Sequence, residues 1–219
     1  MPNDHLVRLT DAYCLALCKF KFLVIGLGRP YFSQSQQSVD SSGIQAPSIV
    51  PPGSGLVARI RNFTTVAKVR AEDTGGVYSV LEHTLAPGYV AMPVHRHVRE
   101  VKTVYVIAGT ATMLIGKRVV VASSGTTVHL PAGTPHTFWN ARPEAMMERD
   151  GKGPGDGLRL LAVFAPGGLE RYYAEVAALV PTGGTPDVPS ILEVSAAHGV
   201  EVEMLSLLDI IERHKVELA

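Results

Sequence analysis

The chain has 219 residues, 46% of them hydrophobic, and a mean hydropathy of +0.17, which suits one domain with extensions and excludes a disordered chain. Twenty Lys and Arg residues balance twenty Asp and Glu residues. No run of like charge interrupts this balance, so we expect no nucleic-acid partner.

The first distinctive segment is apolar and reads "AYCLALCKFKFLVIGLG" at residues 12–28. Lys19 and Lys21 interrupt it well before the roughly 20 apolar residues that a membrane span needs. We therefore expect a cytoplasmic protein without a membrane partner. Cys14 and Cys18 are too few for a disulfide framework or a zinc finger, and we interpret them as apolar residues of a short helix.

A polar linker rich in Ser, Gln, Pro and Gly follows at residues 33–55, and it cannot bury a core. From about Leu56 the chain turns to short β-rich segments separated by turn residues. These segments are VARIRNF, TVAKVRA, GVYSVLEHTLA, YVAMPVHRH, TVYVIAG, TATMLIG, RVVVAS, TTVHLPAG, PHTFWN and LRLLAVFAP. They predict an all-β sandwich or barrel. We expect an N-terminal arm and linker over residues 1–49 and the β domain over residues 50–166.

Beyond this region the pattern becomes helical. Three segments have amphipathic periodicity, LERYYAEVAALV, PSILEVSAAHG and EMLSLLDIIERHKVEL. We expect them to form a helical extension over residues 167–219 that packs against the β domain or against a second subunit.

Two histidines form the first half of a candidate metal site. His95 and His97 stand two residues apart ahead of an apolar run that is typical of a strand, so both imidazoles can point to the same side. The next charged residues along the chain are Glu100 and Lys102. A carboxylate there would complete a site for a divalent metal, whereas a charged amine would repel the ion.

The second half lies about 40 residues further on, in the stretch "GTTVHLPAGTPHTFWN". Pro131 and Gly133 make a tight connection that fixes where His136 points. Alternation along the strand predicts that Phe138 shares the inner face with His136 and that Trp139 faces outward. The hairpins between the two halves can bring three imidazoles together inside a barrel.

These residues resemble the two sequence motifs of the cupin superfamily. The second motif, G-x5-P-x-G-x2-H-x3-N, is matched at every fixed position, and the first is matched in part, with one extra residue after its first glycine. The matching residues are Gly125, Pro131, Gly133, His136 and Asn140 in the second motif and Gly88, His95, His97 and Gly109 in the first. The flanking stretches "EDTGGVYSVLEHTLAPGY" and "FAPGGLERYY" resemble those of bacterial quercetin-dioxygenase-like cupins. The resemblance covers about residues 50–180 and implies a single small antiparallel β-barrel.

The resemblance also implies a metal-dependent dioxygenase whose substrate is small, oxygenated and largely apolar, of the flavonol or enol type. The three histidines of the motifs would hold one divalent transition metal ion, which can be Fe, Ni, Mn, Cu or Zn. In these relatives a glutamate completes the ligand set, seven residues before the glycine that closes the first motif. Counting back from Gly109 places Lys102 at that position, with Glu100 two residues earlier.

Lys102 leaves four arrangements open. It can swing away, onto Glu100, and leave a three-histidine metal site. A bulge or register shift can let Glu100 coordinate as the carboxylate. Lys102 can be desolvated and neutral, which burial near a cation favours. Alternatively, no metal binds and Lys102 pairs with an anionic ligand. A charged Lys102 excludes a metal from the same position, because two unit charges about 4 Å apart interact by about 4 kcal/mol at an effective dielectric constant of 20, and a divalent ion doubles this.

In the leading hypothesis the metal acts as a Lewis acid that activates and orients the substrate. Glu100 and Lys102 are then the candidate catalytic residues, although a positively charged lysine cannot act as a general base. Val104, Val106 and Phe138 are predicted to line the substrate site with apolar surface.

Two other functions remain open, because the cupin fold carries many. One is a non-catalytic cupin that binds a small molecule in a degenerate metal site, since Lys102 replaces the glutamate ligand. The other is a metal-free isomerase or epimerase with histidine as its base, although the sequence shows no acid partner. A homodimer is expected in each case, because cupins commonly pair and this chain carries apolar helices outside its barrel.

The remaining residues of chemical interest are interpreted as structural. His83 and His129 are strand residues without a visible partner, and His129 is out of phase with Leu130, so it is expected to point outward. Tyr172 and Tyr173 begin a C-terminal helix, where packing is expected rather than catalysis.

Overall fold

The computed structural model describes residues 47–140, 157–180 and 184–214, together with the backbone of residues 217–218. All of them belong to one unit that spans residues 37–219. The predictions for Cys14, Cys18 and most of the N-terminal arm lie outside the described residues.

The strands follow the predicted order along the chain. They are β1 Leu56–Ile60, β2 Phe63–Val69, β3 Ser79–Leu85, β4 Tyr89–Val90, β5 Val94–His97, β6 Val101–Ala108, β7 Thr110–Ile115, β8 Arg118–Ser123, β9 Thr127–Leu130, β10 His136–Asn140, β11 Leu158–Ala165, β12 Val200–Glu203 and β13 Glu217–Leu218. The helices are a 3₁₀ turn at Ala71–Thr74 and α1 Leu169–Ala178, α2 Val188–Ala197 and α3 Ser206–His214. Sequence analysis predicts helices alone beyond residue 166, so β12 and β13 are additions to the expected pattern.

The strands form two sheets. One has the order β1-β2-β3-β11-β6-β9, and the other has the order β12-β5-β10-β4-β13, extended by β7, which pairs with β10, and by β8, which pairs with β7. Every pairing is antiparallel except that of β13 with β4. The all-β prediction with C-terminal helices is therefore confirmed. Within the described ranges the ladders make a two-sheet sandwich rather than one closed barrel.

Alternation of apolar residues explains why these segments form strands with one buried face. In β11, the sequence LRLLAVFA buries every second residue from Leu158 to Phe164. In β3, Ser79, Leu81, His83 and Leu85 are buried in the same way. A residue period of two places these side chains on one face of the sheet. The apolar side chains among them join the main core cluster, which also contains side chains from the second sheet.

Helix α1 covers the core with an apolar face. Leu169, Tyr172, Tyr173 and Val176 are buried in the same cluster as the strand side chains. The carboxylate of Glu170, which is also buried, accepts hydrogen bonds from the backbone N–H groups of Ala71 (2.9 Å) and Gly168 (3.2 Å). These bonds tie the first turn of α1 to the 3₁₀ turn, so that the chain beyond β11 is anchored to the β domain.

Helix α3 covers the other face of the second sheet. Trp139 faces away from Phe138, as alternation along β10 predicts, yet it is only 1% exposed. It packs with Val90, Leu207 and Ile210 in a separate small cluster. The outward-facing tryptophan is thus covered by the C-terminal part of the same chain.

Among the helices that the structure describes, none combines the length and the apolar character needed to cross a membrane.

Candidate metal centre

Strand β5 presents His95 and His97 on the same side. They alternate with Arg96, and both histidines are buried while Arg96 is exposed. Arg96 forms an ion pair with Glu201, which lies opposite it on β12. This pairing holds the outer side of β5, while the two imidazoles project into the interior of the sandwich.

Strand β10 brings the third histidine alongside. His136 is the direct cross-strand partner of His95, and it is 1% exposed. The turn before it contains Gly133 at φ +77°, a conformation that favours glycine, and the Gly133 N–H donates to the carbonyl of His97 at 2.7 Å. The turn that positions His136 is therefore fastened to the strand that carries the other two histidines.

The three imidazoles converge as predicted. One ring nitrogen from each of His95, His97 and His136 lies within 4.8 Å of the other two. The ring centroids are 4.3 Å apart for His95 and His136, 5.1 Å for His95 and His97, and 5.4 Å for His97 and His136. These distances allow the three nitrogens to bind one ion.

Backbone carbonyls fix the orientation of two of the rings. His95 Nδ1 lies 3.1 Å from the carbonyl oxygen of Pro93, and His136 Nδ1 lies 3.0 Å from that of Thr134. A carbonyl oxygen only accepts hydrogen bonds, so each Nδ1 carries a hydrogen and, in the neutral ring, each Nε2 keeps a free lone pair. This is the arrangement in which a histidine binds a metal through Nε2.

The surroundings keep the rings neutral. Burial lowers the pKa of His95 to about 3, and the nearby Lys102 lowers it further against the opposing effect of the Pro93 carbonyl. Burial is also the main cause that holds the pKa values of His97 and His136 far below the usual range. Because neutral imidazole is the form that binds metals, the cluster is ready for an ion at neutral pH.

Lys102 occupies the interior beside the histidines. It projects from β6, is 1% exposed, and its Nζ lies 3.3 Å from His136 Nε2, which has the free lone pair that accepts the hydrogen bond. Nζ also lies 5.5 Å from the ring centroids of Phe138 and Phe164. Burial lowers the pKa of Lys102 to about 7. Of the four arrangements considered above, the structure has Lys102 turned inward and not paired with Glu100.

Glu100 lies apart from the three-histidine cluster. It is buried, and its Oε1 lies 3.5 Å from a guanidinium nitrogen of Arg99. Its Oε2 is buried without a hydrogen-bond partner among the described residues. The ligand set that the described residues bring together therefore consists of three imidazoles without this carboxylate.

The donor set fits a divalent transition metal. His95 Nε2 and both ring nitrogens of His97 are buried and have no hydrogen-bond partner within the described ranges. Such atoms are costly to bury unless a partner is supplied. Three neutral imidazoles suit Fe, Ni, Cu or Zn. His136 Nε2 can join them when it exchanges its hydrogen bond from Lys102 for the ion.

The predicted lining residues are buried in the apolar core. Val104, Val106 and Phe138 are each at most 2% exposed and belong to the main core cluster. Phe164 adds a ring that sequence analysis does not single out, at a centroid distance of 5.5 Å from the ring of His97.

Of the two strand histidines interpreted as ordinary, only His129 is exposed. Its Nδ1 lies 2.9 Å from Thr103 Oγ1. His83 is 1% exposed, and its Nδ1 lies 2.9 Å from Thr65 Oγ1. The signal for His83 is present in the sequence, because it alternates with Leu81 and Leu85, whose side chains must face the core.

One family model matches this part of the chain. The family model described as "Cupin domain" matches residues 81–148, which include the three histidines and Lys102. A comparison with curated proteins finds no match.

A search of solved structures finds matches that include three bacterial proteins. KdgF from Halomonas sp. is 16% identical with a TM-score of 0.44, and the match covers 55% of this chain and 94% of that one. An RmlC-like cupin from Shewanella frigidimarina is 14% identical with a TM-score of 0.42, covering 55% and 92%. The polyketide cyclase RemF from Streptomyces resistomycificus is 20% identical with a TM-score of 0.38, covering 51% and 68%.

The match agrees with the antiparallel two-sheet architecture that places His95, His97 and His136 in one cluster. Residues 81–148 are thus similar to a cupin domain, in keeping with the fold that the sequence motifs imply.

Proposed function

We propose that the chain is a metal-dependent cupin oxygenase that acts on a small, largely apolar, oxygenated molecule of the flavonol or enol type. The observation that carries the proposal is the convergence of three neutral, buried imidazoles, in which hydrogen bonds from Nδ1 to backbone carbonyls leave Nε2 of His95 and His136 without a hydrogen. A bound divalent metal would supply Lewis-acid activation of an enol oxygen and would orient the substrate toward O2.

The interior supports an apolar, planar substrate. Val104, Val106 and Phe138 are buried in the core, Phe138 lies 5.5 Å from Lys102 Nζ, and Phe164 lies against His97. Apolar and aromatic walls with a few polar groups are typical of small-molecule sites. They also exclude water, which strengthens every electrostatic interaction within the site.

The position of Lys102 Nζ supports a role in which it takes up the proton of an enol. Its position beside His136 Nε2 puts it at the cluster, and the burial that lowers its pKa to about 7 leaves the amine neutral above that pH. A neutral amine with a pKa near the operating pH is an effective general base. Above this pH Lys102 is therefore able to accept a proton, which an ammonium group is not.

A second candidate function has one observation in its favour. The inward Lys102 uses the Nε2 lone pair of His136 that a metal would need. If the amine keeps that position and stays protonated, the site instead suits a small anionic ligand, and the chain is a binding protein without catalysis.

Oxygen uptake distinguishes the two functions. Protein loaded with each candidate metal is mixed with a flavonol, and O2 consumption is followed with an electrode. We expect uptake with at least one metal, loss of uptake in His136→Gln, and no change in His129→Gln, a matched substitution of the exposed histidine. Absence of flavonol-dependent uptake with every metal, in protein that retains the ion, would contradict the oxygenase and favour the binding protein.

A further inference from the structure

His83 is a buried polar residue that the metal centre does not use. It lies on β3 in cross-strand register with Thr65 of β2, and the Thr65 hydroxyl is its hydrogen-bond partner through Nδ1. Its Nε2 is buried and has no partner in the part of the chain that the structure describes. Nδ1 therefore has a hydrogen-bond partner within the chain, whereas Nε2 has none among the described residues.

Aromatic rings surround His83 on several sides. Phe63 stacks on it with a centroid distance of 5.2 Å and an interplanar angle of 30°. Tyr173 lies 5.2 Å away and Phe164 lies 6.3 Å away. These contacts hold the imidazole plane, so that the direction of its free nitrogen is defined.

The same aromatic rings connect His83 with the metal centre. Phe164 contacts His83 on one side, and on another it lies 5.5 Å from both the His97 ring and Lys102 Nζ. Phe138 lies 6.1 Å from Phe63 and 5.5 Å from Lys102 Nζ. Burial lowers the pKa of His83, and the positive charge of a protonated Lys102 lowers it further. His83 and the metal centre thus share one aromatic interior.

The strand register gives the spacing along the sheet between the backbone rows that carry His83 and Lys102. His83 and Val106 are both in register with Leu160 of β11, whereas Lys102 is in register with Phe164. Four residues of strand separate the backbones of the two rows, which corresponds to roughly 13 Å along the sheet. The two regions therefore start from different levels of the sheet, and they share the ring of Phe164 as a neighbour.

The burial of His83 Nε2 without a hydrogen-bond partner among the described residues has an energetic cost. A buried donor or acceptor without a partner lowers stability, whereas an apolar side chain of similar shape would pack among these rings without that cost. Among the described residues, His95 and His97 carry the other buried ring nitrogens without a partner, and those are atoms that an ion would use. The same logic assigns His83 Nε2 to a ligand.

We propose that His83 is a substrate-positioning residue whose Nε2 hydrogen-bonds an oxygen at the end of the substrate remote from the metal centre. This inference rests on the proposed function and narrows it. The substrate is a planar aromatic molecule with one oxygen group at the three histidines and a second at His83. A hydroxyl group satisfies the site in either tautomer of His83, because it can donate to Nε2 or accept from it.

A matched set of flavonols tests this role. The parent flavonol carries only the oxygens of its chelating ring, and three derivatives carry one added hydroxyl at the ortho, meta or para position of the phenyl ring. Their dissociation constants are measured by titration calorimetry with the full-length protein loaded with Zn²⁺, which has no redox chemistry. The same titrations are repeated with His83→Phe and His83→Leu, and with His129→Gln as the control.

We expect at least one derivative to bind the unmodified protein about tenfold more tightly than the parent, as one added hydrogen bond allows. Both His83 variants should lose this preference and still bind the parent flavonol and Zn²⁺, whereas His129→Gln should keep it. A residue that only stabilises the fold would change the affinity for all four compounds together.

The possible failures point to different conclusions. If the parent binds and no hydroxyl improves its binding, or if the preference survives in both His83 variants, the role of His83 is overturned and the proposed function stands. If Zn²⁺-loaded protein binds none of the four compounds, the substrate class of the proposed function falls, and the role of His83 falls with it.

Discussion

Lys102 is the residue on which metal binding at this site depends. Its Nζ and an incoming metal would use the same lone pair on His136 Nε2. Since that lone pair serves one partner at a time, an ion has to displace the amine. Burial favours the neutral amine, with a pKa of about 7, and a neutral amine does not repel the ion as an ammonium does.

Lys102→Glu should strengthen metal binding. It replaces a competing amine with a carboxylate at the position where the resemblance to quercetin-dioxygenase-like cupins implies a ligand. We expect the dissociation constant of the metal to fall by at least one to two orders of magnitude. The corresponding binding free energy is a modest share of the difference in electrostatic energy between a lysine and a glutamate beside the ion. Titration against a chromophoric chelator of known affinity measures the change.

Glu100→Gln is the matched experiment at the neighbouring carboxylate. Because Glu100 lies beside Arg99 and outside the three-histidine cluster, this substitution should leave metal affinity nearly unchanged. If Glu100→Gln weakens binding sharply while Lys102→Glu has little effect, Glu100 is the working ligand and the three-histidine description is wrong.

The burial of Lys102 also makes stability depend on pH. The folded protein holds the pKa of this amine at about 7, against 10.5 for an ordinary lysine. Between these values the unfolded chain binds a proton that the folded chain does not, so the contribution of Lys102 to the free energy of unfolding rises with pH from about 7 to 10.5. In chelator-treated protein, the stability of Lys102→Met relative to the unmodified protein should fall over this range by a few kcal/mol.

Guanidinium unfolding of both proteins at pH 7 and near pH 10 provides the measurement. Taking the difference between the two proteins at each pH removes the effect of groups that they share, including Tyr172 and Tyr173, whose pKa values burial raises. A stability difference that stays constant with pH would mean that Lys102 is solvated and charged in the folded state.

At the level of strands and helices, alternation in the sequence predicts most of what positions the site. His95 and His97 share a face because they stand two residues apart, and Phe138 and Trp139 separate onto opposite faces for the same reason. The alternation of His83 with Leu81 and Leu85 carries the same information, but no residue near His83 in the sequence indicates a polar partner for its ring. The partner, Thr65, becomes visible only through the pairing of β2 with β3.

Other features depend on contacts that local sequence does not encode. The β12 residues VEVE form a strand because β5 offers an edge to pair with, more than 100 residues earlier in the chain. Lys102 has the same strand parity as Val104 and Val106, so spacing predicts that it faces inward, although residue type alone predicts that a lysine faces solvent. Its hydrogen bond to His136 Nε2 and the pairing of β12 with β5 cannot be read from residue type and spacing.

Helix α3 provides a test at this scale. Ile210 is 2% exposed and packs in the cluster with Trp139, whereas Leu208 on the same helix is 37% exposed. Ile210→Ala should lower the free energy of unfolding by roughly 2–4 kcal/mol, and Leu208→Ala should lower it by less than about 1 kcal/mol. Urea unfolding of the two variants measures both values. Equal losses would mean that α3 does not pack on the outer face of β10.

At the level of the whole molecule, we expect a homodimer. Val119 and Val121 are 52% and 68% exposed on β8, which pairs with β7 alone among the described strands. Exposed apolar side chains on a strand with one free edge favour association with a second copy. Light scattering at micromolar concentration should give twice the 23.4 kDa mass of one chain, and a particle of 23.4 kDa would contradict the prediction.

The metal content of the protein tests the central claim most directly. Protein purified without an affinity tag and without added metal is analysed for transition metals by mass spectrometry, alongside His136→Gln and the control His129→Gln. We predict close to one equivalent of a single transition metal in the unmodified protein and in His129→Gln, and little in His136→Gln. A clean absence of metal in the unmodified protein, or full retention in His136→Gln, would contradict a metal centre formed by His95, His97 and His136.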